Sequence, residues 1–325
     1  MRVVFIGTGE IGVPTLRWLA ESPHQELVGV VTQPDKPVGR DQRIQAPPIK
    51  AAIAGLEIPV LQPERIKREE AIAQIRALAP DVIVVMAYGQ ILPRAVLQIP
   101  PVACLNLHAS LLPKHRGAAP IQAAIAAGDQ ETGVTVMYMD EGLDTGDMLL
   151  KSKIPIRPDE TGQSLHDRLA AVAPEALAEA LHQLTAGTAP RISQNPDEAT
   201  YAKKLEREHG QIDWSHSAES IERKIRAFDP WPGTYIILRD DSGRERKLKI
   251  YSATVLRRGA GEPGEIIAAG AEGVVIAARD GALCLRDLQL EGKKRMSAAE
   301  FARGHPWLAS SRAVSFSFPS TRPSG

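Results

Sequence analysis

The stretch "VVFIGTGEIGVPTL", Val3–Leu16, decides how the chain is read. A run of apolar and β-branched residues reads as a strand, and the apolar pattern after Gly12 reads as a helix. Between them Gly7, Gly9 and Gly12 stand in the spacing G-x-G-x-x-G. That spacing between a strand and a helix marks a dinucleotide-binding turn. It equally marks any tight strand-to-helix turn in a doubly wound α/β domain, and the glycines alone leave both readings open.

Working outward, the first half alternates short strands with helices. Val3–Ile6, Leu27–Val31, Val82–Ala87, Cys104–Leu107 and Val134–Met139 read as strands, with helices at "PTLRWLAES", "KREEAIAQIRALA" and "PIQAAIAAG". This alternation predicts a parallel sheet covered on both faces, a Rossmann-like α/β domain. Ligands of such sheets lie beyond the carboxyl ends of the strands. "TGQSLHDRLAAVAPEALAEALHQLTAG" is a long helix with Pro174 inside it, where a kink or break is expected. The Pro-rich, polar stretch that follows reads as a linker over 189–208. Beyond it, one helix precedes five expected strands, Tyr235–Leu238, Leu248–Val255, Gly264–Ile267, Gly273–Ala277 and Leu283–Leu290, separated by turn signals. This spacing predicts a small β-barrel of the oligonucleotide-binding type. The expected organisation is a catalytic domain over 1–188, the linker, a barrel over 209–310 and a flexible tail over 311–325.

Composition narrows the class. Of 325 residues 43% are hydrophobic and 24% charged, as in ordinary globular proteins, and no apolar run approaches the roughly 18 residues of a membrane span. The opening "MRVVFIGTGE" enters a strand with no signal-peptide pattern, and two distant cysteines, Cys104 and Cys284, suggest no disulfide framework. A cytoplasmic, monomeric protein without membrane association is expected. No CxxC, HExxH or His/Cys cluster stands at metal-ligand spacing, so no metal is expected. Residues 1–200 hold 18 of the 39 Lys and Arg and 23 of the 39 Asp and Glu. The front is therefore acidic and the back basic, which suits a polyanionic partner for the second part.

Three stretches can carry chemistry. In "CLNLHASLLPKHRGAAPIQ" the strand ends at Asn106, Leu107, His108, so Asn106 and His108 point to one side. A carboxamide can donate to a developing oxyanion, and an imidazole can move a proton near neutral pH. "MDEGLDTGD" crowds Asp140, Glu141, Asp144 and Asp147 after another strand, and one of these carboxylates beside the imidazole would orient it. It fits neither a calcium loop nor an aspartic protease, which needs two such carboxylates. "TQPDKPVGRDQRIQAPPIK" is a long loop carrying Lys36, Arg40, Arg43 and Lys50, suited to grip phosphates.

Taken as a set, "TQPDKPVGR", "VVMAYGQILP", "HASLLPKHRGAAPIQ", "GDQETGVTVMYMDEGLDTGDML", "IRAFDPWPGT" and "GKKRMSAAEF" resemble the folate-dependent formyltransferases, and among them the branch that formylates methionine on initiator tRNA. The resemblance runs from Arg2 to about Leu308. His115 departs from it, standing where a large aromatic residue is usual, and so does "GTGEIGVP", where the family shows a Gly-Thr-Pro-like turn. The resemblance implies that Asn106, His108 and Asp144 catalyse formyl transfer from 10-formyltetrahydrofolate to the α-amino group of the methionine. It implies that the folate co-substrate lies along Gln90, Ile91, Leu92 and Pro93, the turn Ser110, Leu111, Leu112 and Pro113, and the backbone of Asp140, Glu141, Gly142 and Leu143. Ile91, Leu92 and Leu112 would form apolar walls. The acceptor stem of the tRNA would meet Lys36, Arg40 and Arg43. The barrel would add a basic face drawn from Arg223, Lys224, Lys247, Lys249, Lys293, Lys294 and Arg295.

Two same-fold alternatives act on other amines. Glycinamide ribonucleotide formyltransferases usually end after the catalytic domain, whereas sugar-amine formyltransferases can carry a C-terminal domain. The "DPWPGT" and "GKKRMSAAEF" motifs and the basic loop favour tRNA. An NAD-dependent oxidoreductase, resting on the glycines and on Asp35 after the second strand, explains neither the Asn/His/Asp set nor the barrel. With those motifs in view, the glycine loop reads as a tight turn and no NAD is expected.

Overall fold

The first strand, β1 (Arg2–Gly7), has Val3, Val4, Phe5 and Ile6 fully buried. Burial on both faces is what an interior strand of a covered parallel sheet requires, and it explains the unbroken apolar run. In a computed structural model, which describes residues 1–39, 41–239, 244–257, 259, 261–305 and 308, this strand is an interior strand of a seven-stranded sheet. The other strands are β2 (Glu26–Val31), β3 (Val60–Leu61), β4 (Val82–Met86), β5 (Ala103–His108), β6 (Glu131–Tyr138) and β7 (Met148–Pro155). Their order is β7-β6-β5-β4-β1-β2-β3. Strands β1 to β5 are parallel throughout, and the order reverses between β1 and β4, the place where such sheets keep ligands.

Several expectations are refined. Strand β6 is antiparallel to β5 and forms a hairpin with β7, which the sequence reading did not anticipate. Consequently Tyr138 lies beside Leu105, at the level where β5 begins, and Asp144 does not follow a parallel strand's carboxyl end. Pro174 does not break the long helix, which runs continuously over Gly162–Ala186. A proline removes one N–H, but Leu165, Leu169, Ala173, Leu177 and Leu181 recur every four residues and are all buried, which holds the helix through that gap. The long basic loop is a β-hairpin, Lys36–Val38 against Arg43–Gln45. The polar stretch after the long helix is not a free strand of chain either: Ile192 pairs with Met148, and Tyr201–Ala202 pairs in parallel with Arg116–Gly117.

The chain divides into two compact units. One comprises Met1–Ile121, Gln130–Ile156 and Ser164–Lys203; the other comprises Gln122–Asp129, Arg157–Gln163 and Lys204–Gly325. The second unit holds an antiparallel sheet of strands β8 (Thr234–Arg239), β9 (Glu245–Leu256), β10 (Ile266–Gly270), β11 (Gly273–Ala277), β12 (Ala282–Leu290) and the short β13 (Met296–Ser297). Its alternating inward residues, among them Ile236, Leu248, Ile266, Ile276 and Leu285, share one core with Ile221, Ile225 and Phe301 from two helices. Those helices start where the sequence provides caps. Ser217 accepts from the Ser220 N–H at Ala218–Ala227, and Ser297 and Glu300 cap each other reciprocally at Ala298–Gly304. Arg40 and the tail 311–325 lie outside the described residues.

Candidate functional site

At the glycine loop, Gly7 is required by packing: a Cβ there would come within 2.7 Å of the Met86 carbonyl oxygen. The amide N–H groups of Thr8 and Gly9, which would face a pyrophosphate in a dinucleotide site, both donate to the carbonyl of Ala87 at 3.2 and 3.3 Å. The Asp35 carboxylate is held by Lys50 at 2.9 and 3.0 Å and by Gln62 at 2.7 Å. These bonds, that of Gln62 first and then that of Lys50, keep its carboxyl below the ordinary value. Lys50 is thereby engaged inside its own unit rather than offered to a phosphate.

Asn106 and His108 alternate along the end of β5 onto one face, as expected. His108 is buried, only 6% exposed, and its Nε2 donates to the carbonyl of His115 at 2.9 Å. The turn between the two histidines is pinned from β6. Thr135, opposite His108 in register, donates from Oγ1 to the Ser110 carbonyl at 2.6 Å and accepts from the Leu112 N–H at 3.1 Å. Ser110 Oγ closes the turn on the Lys114 carbonyl. His115 has a left-handed backbone, φ 58°, and its N–H donates to Thr200 Oγ1 at 2.8 Å.

Asp144 completes the group. Its Oδ2 lies 3.6 Å from His108 Nδ1 and accepts from the Gly117 N–H at 2.8 Å, and its Oδ1 lies 3.4 Å from Asn106 Nδ2. Glycine is needed at 117, where φ is 114° and a Cβ would meet the Ala202 carbonyl at 2.6 Å. The Asp144 side chain is 16% exposed and Asn106 is half-buried, so a carboxylate, an imidazole and a carboxamide share a corner largely withdrawn from water yet reachable at Asp144 and Asn106. Such a corner can hold a developing negative charge on a carbonyl oxygen and move a proton beside it.

The residues expected to meet folate separate into two kinds. Ile91 and Leu143 are exposed, at 88% and 59%, on loops linked by the Arg94–Glu141 ion pair at 3.7 Å. Leu92 and Leu112 are instead buried in apolar clusters, Leu112 against Met137 and Met148, so they support the loops from beneath. Pro93 caps the short helix Arg94–Leu97. The side chain of Gln90 is spent on Ile66 N–H and the Glu64 carbonyl. Asp140 folds its own loop by accepting from Gly142 N–H and Thr145 Oγ1.

Of the expected basic residues, Lys36 and Arg43 are exposed on the hairpin. In the second unit Lys247 lies over the Tyr235 ring at 3.4 Å, and Lys249 stands opposite Tyr235 in register. Arg295 lies over Tyr251 and near Asp287, while Lys293 and Lys294 are exposed. Lys224 and Arg223 are each engaged by a backbone carbonyl. Lys224 is half-buried and donates to the Gln211 carbonyl at 2.7 Å, with burial pushing its pKa down, and Arg223 donates to the Ala126 carbonyl. Sequence reasoning missed Thr135, Thr200 and Gln194, whose bonds span 23 to 85 residues and leave no local pattern. Among the described residues no group of His, Cys, Asp and Glu could hold a metal ion, and no helix is long and apolar enough to cross a membrane.

A formyl transferase family model matches residues 1–181, and the model of the formyl transferase C-terminal domain matches 204–306. The methionyl-tRNA formyltransferase of Akkermansia muciniphila is 48% identical over 95% of this chain and 98% of its own. That of Marinobacter nauticus is 50% identical over 94% of this chain and 96% of its own. The chain belongs to the methionyl-tRNA formyltransferase family. Among solved structures, the methionyl-tRNA formyltransferase of Clostridium thermocellum superposes with a TM-score of 0.55 at 18% identity, covering 86% of this chain and 99% of that one. An N-formyltransferase from Helicobacter canadensis, solved with folinic acid and dTDP-3-aminofucose, gives 0.62 at 17% identity, covering 90% and 99%. At these identities the structural likeness concerns the fold alone.

Proposed function

We propose that this protein transfers the formyl group of 10-formyltetrahydrofolate to the α-amino group of methionine on initiator tRNA. The observation that carries the proposal is the meeting of Asn106, His108 and Asp144 at one open corner, in a chain related over nearly its whole length to methionyl-tRNA formyltransferases. The folate supplies the one-carbon electrophile. The exposed Ile91 and Leu143, on adjoining loops, suit the flat face of a pterin, and the loop around Asp140–Leu143 suits its polar edge.

In this reading Asn106 donates from Nδ2 to the formyl oxygen as amine attack drives charge onto it, an interaction that strengthens toward the transition state. His108 moves the proton. It takes one from the attacking amine and hands one to the folate nitrogen as the bond from that nitrogen to the formyl carbon breaks. Formyl-methionine and tetrahydrofolate then both leave neutral at the reacting nitrogens. Because its Nε2–H is committed to the His115 carbonyl, Nδ1 is the nitrogen left to receive a proton from the attacking amine. Asp144 faces Nδ1, so a proton arriving there meets a negative charge, and the Gly117 N–H and Asn106 keep the carboxylate aimed. Burial of His108 strengthens each of these interactions relative to water.

Lys36, Arg40 and Arg43 serve the acceptor stem in this proposal, and Lys247, Lys249, Lys293 and Lys294 offer a second basic surface, where Lys247 lies over Tyr235 and Arg295 over Tyr251. Such a mixture of cations and rings suits nucleic acid, since cations meet phosphates and rings meet bases. The deciding assay offers the purified protein 10-formyltetrahydrofolate with charged initiator tRNA, charged elongator tRNA, free methionine and a dTDP-linked amino sugar in competition. Formylation confined to the initiator tRNA supports the proposal, and preference for the amino sugar would replace it.

A further inference from the structure

Asp144 holds a left-handed backbone, φ 53°, in the connection between β6 and β7. Aspartate is one of the few non-glycine residues that enter that region readily, and here the turn is held from outside the connection. The group that holds it is Gln194, 50 residues away on the chain. Its Nε2 donates to two carbonyls, of Asp144 and of Gly146, both at 2.8 Å. Its Oε1 accepts from Nε and Nη2 of Arg116 at 3.0 and 2.8 Å, and Arg116 is only 5% exposed.

Arg116 is also the middle member of a run of three that addresses the whole corner. His115 gives its carbonyl to His108, Arg116 gives its guanidinium to Gln194, and Gly117 gives its N–H to Asp144. The segment 192–202, which carries Gln194, is fastened at both ends, by Ile192 pairing with Met148 and by Tyr201–Ala202 pairing with Arg116–Gly117. The chemistry at 194 is specific. Both amide hydrogens are used on carbonyls and the amide oxygen on a cation; glutamate keeps the acceptor but has no hydrogen to give, and an aliphatic residue has neither.

We infer that Gln194 is a positioning residue: through the carbonyls of Asp144 and Gly146 it fixes where the Asp144 carboxylate stands relative to His108 Nδ1 and Asn106. The inference rests on the proposed catalytic role of Asp144. It assigns to a polar segment, otherwise read as a linker, a part in the chemistry.

Gln194→Ala strands the buried Arg116 charge and so mixes folding with positioning. Gln194→Glu is the sharper variant, because Arg116 keeps its partner while the two carbonyls lose their donor. Turnover is measured on the full chain with 10-formyltetrahydrofolate and charged initiator tRNA, for wild type, Q194E, D144N and the double variant. Q194E is expected to lose on the order of 10- to 100-fold in kcat, the scale of outer-shell and small geometric losses, with KM for both substrates unchanged. In the D144N background the same change is expected to cost nothing further, since its target is gone. Wild-type kcat in Q194E, or an equal fold-loss in both backgrounds, would overturn the positioning role while leaving that of Asp144 intact. Undiminished turnover of D144N alone would instead remove the role of Asp144, and this inference with it.

Discussion

His108 and His115 are joined ring to backbone: Nε2 of His108 lies 2.9 Å from the carbonyl oxygen of His115. A carbonyl can only accept, so this bond fixes the proton on Nε2 and leaves Nδ1 toward Asp144, 3.6 Å away. The side chain of His115 itself is secondary to this; it is the main chain of that position, left-handed and tied to Thr200, that sets the ring. The expected outcome in long-range nitrogen–proton NMR is that neutral His108 is the Nε2–H tautomer, with Nδ1 resonating as an unprotonated nitrogen. The opposite tautomer would mean that the His115 carbonyl does not anchor the ring.

Asn106→Ala removes the carboxamide proposed to donate to the developing oxyanion. Loss of a single donor of this kind costs about 100- to 1000-fold in kcat. The expected pattern is a loss of that order with KM for the tRNA unchanged, because the interaction is stronger in the transition state than in the ground state. A pure rise in KM would assign Asn106 to substrate binding.

Much of this was legible in the residues. The apolar run Val3–Ile6 and its glycines gave an interior strand and its turn, and the alternation along β5 put Asn106 and His108 on one face. What local pattern could not give is direction and partnership. Strand β7, "MLLKSKIP", alternates inward and outward residues but is short of the β-branched residues that mark a strand, so the hairpin that reverses the sheet went unseen. The segment around Gln194 is polar and proline-containing, which reads as a linker because the bonds of Gln194 are all made to distant parts of the chain. Leu92 and Leu112 illustrate the converse: a motif leucine looks the same whether it lines a ligand or holds up the loop that does.

The Asp35 carboxyl is held below its ordinary value of 3.8 by Gln62 and then Lys50. A carboxyl lowered in the folded state adds stability that is present above its unfolded pKa and lost as pH falls through the folded one. The difference in melting temperature between wild type and Asp35→Asn is therefore expected to be constant above about pH 5 and to shrink below it as both states take up the proton. A gap that is unchanged down to about pH 2 would show that the charge of Asp35 plays no part in folding.

On the proposed tRNA surface, Lys36 and Arg43 stand exposed on the hairpin and make no ion pair among the described residues. Replacing both with Gln is expected to weaken binding to initiator tRNA and to lower the slope of log K against log salt by roughly 0.7–0.9 for each phosphate contact removed. Lys50→Gln, by contrast, breaks the bonds to Asp35 and Gln62 and is expected to lower stability while leaving the salt slope as it is. Filter binding over a salt series separates the two, and an unaltered slope in the hairpin variant would remove it from the tRNA surface.

The most direct test of the whole account is single-turnover formylation of charged initiator tRNA by His108→Ala, with tRNA affinity measured in parallel. The account predicts a loss of at least about 1000-fold in the chemical step, the scale on which positioned proton transfer and charge stabilisation act, while tRNA affinity stays at the wild-type value. Turnover by His108→Ala at the wild-type rate would contradict it.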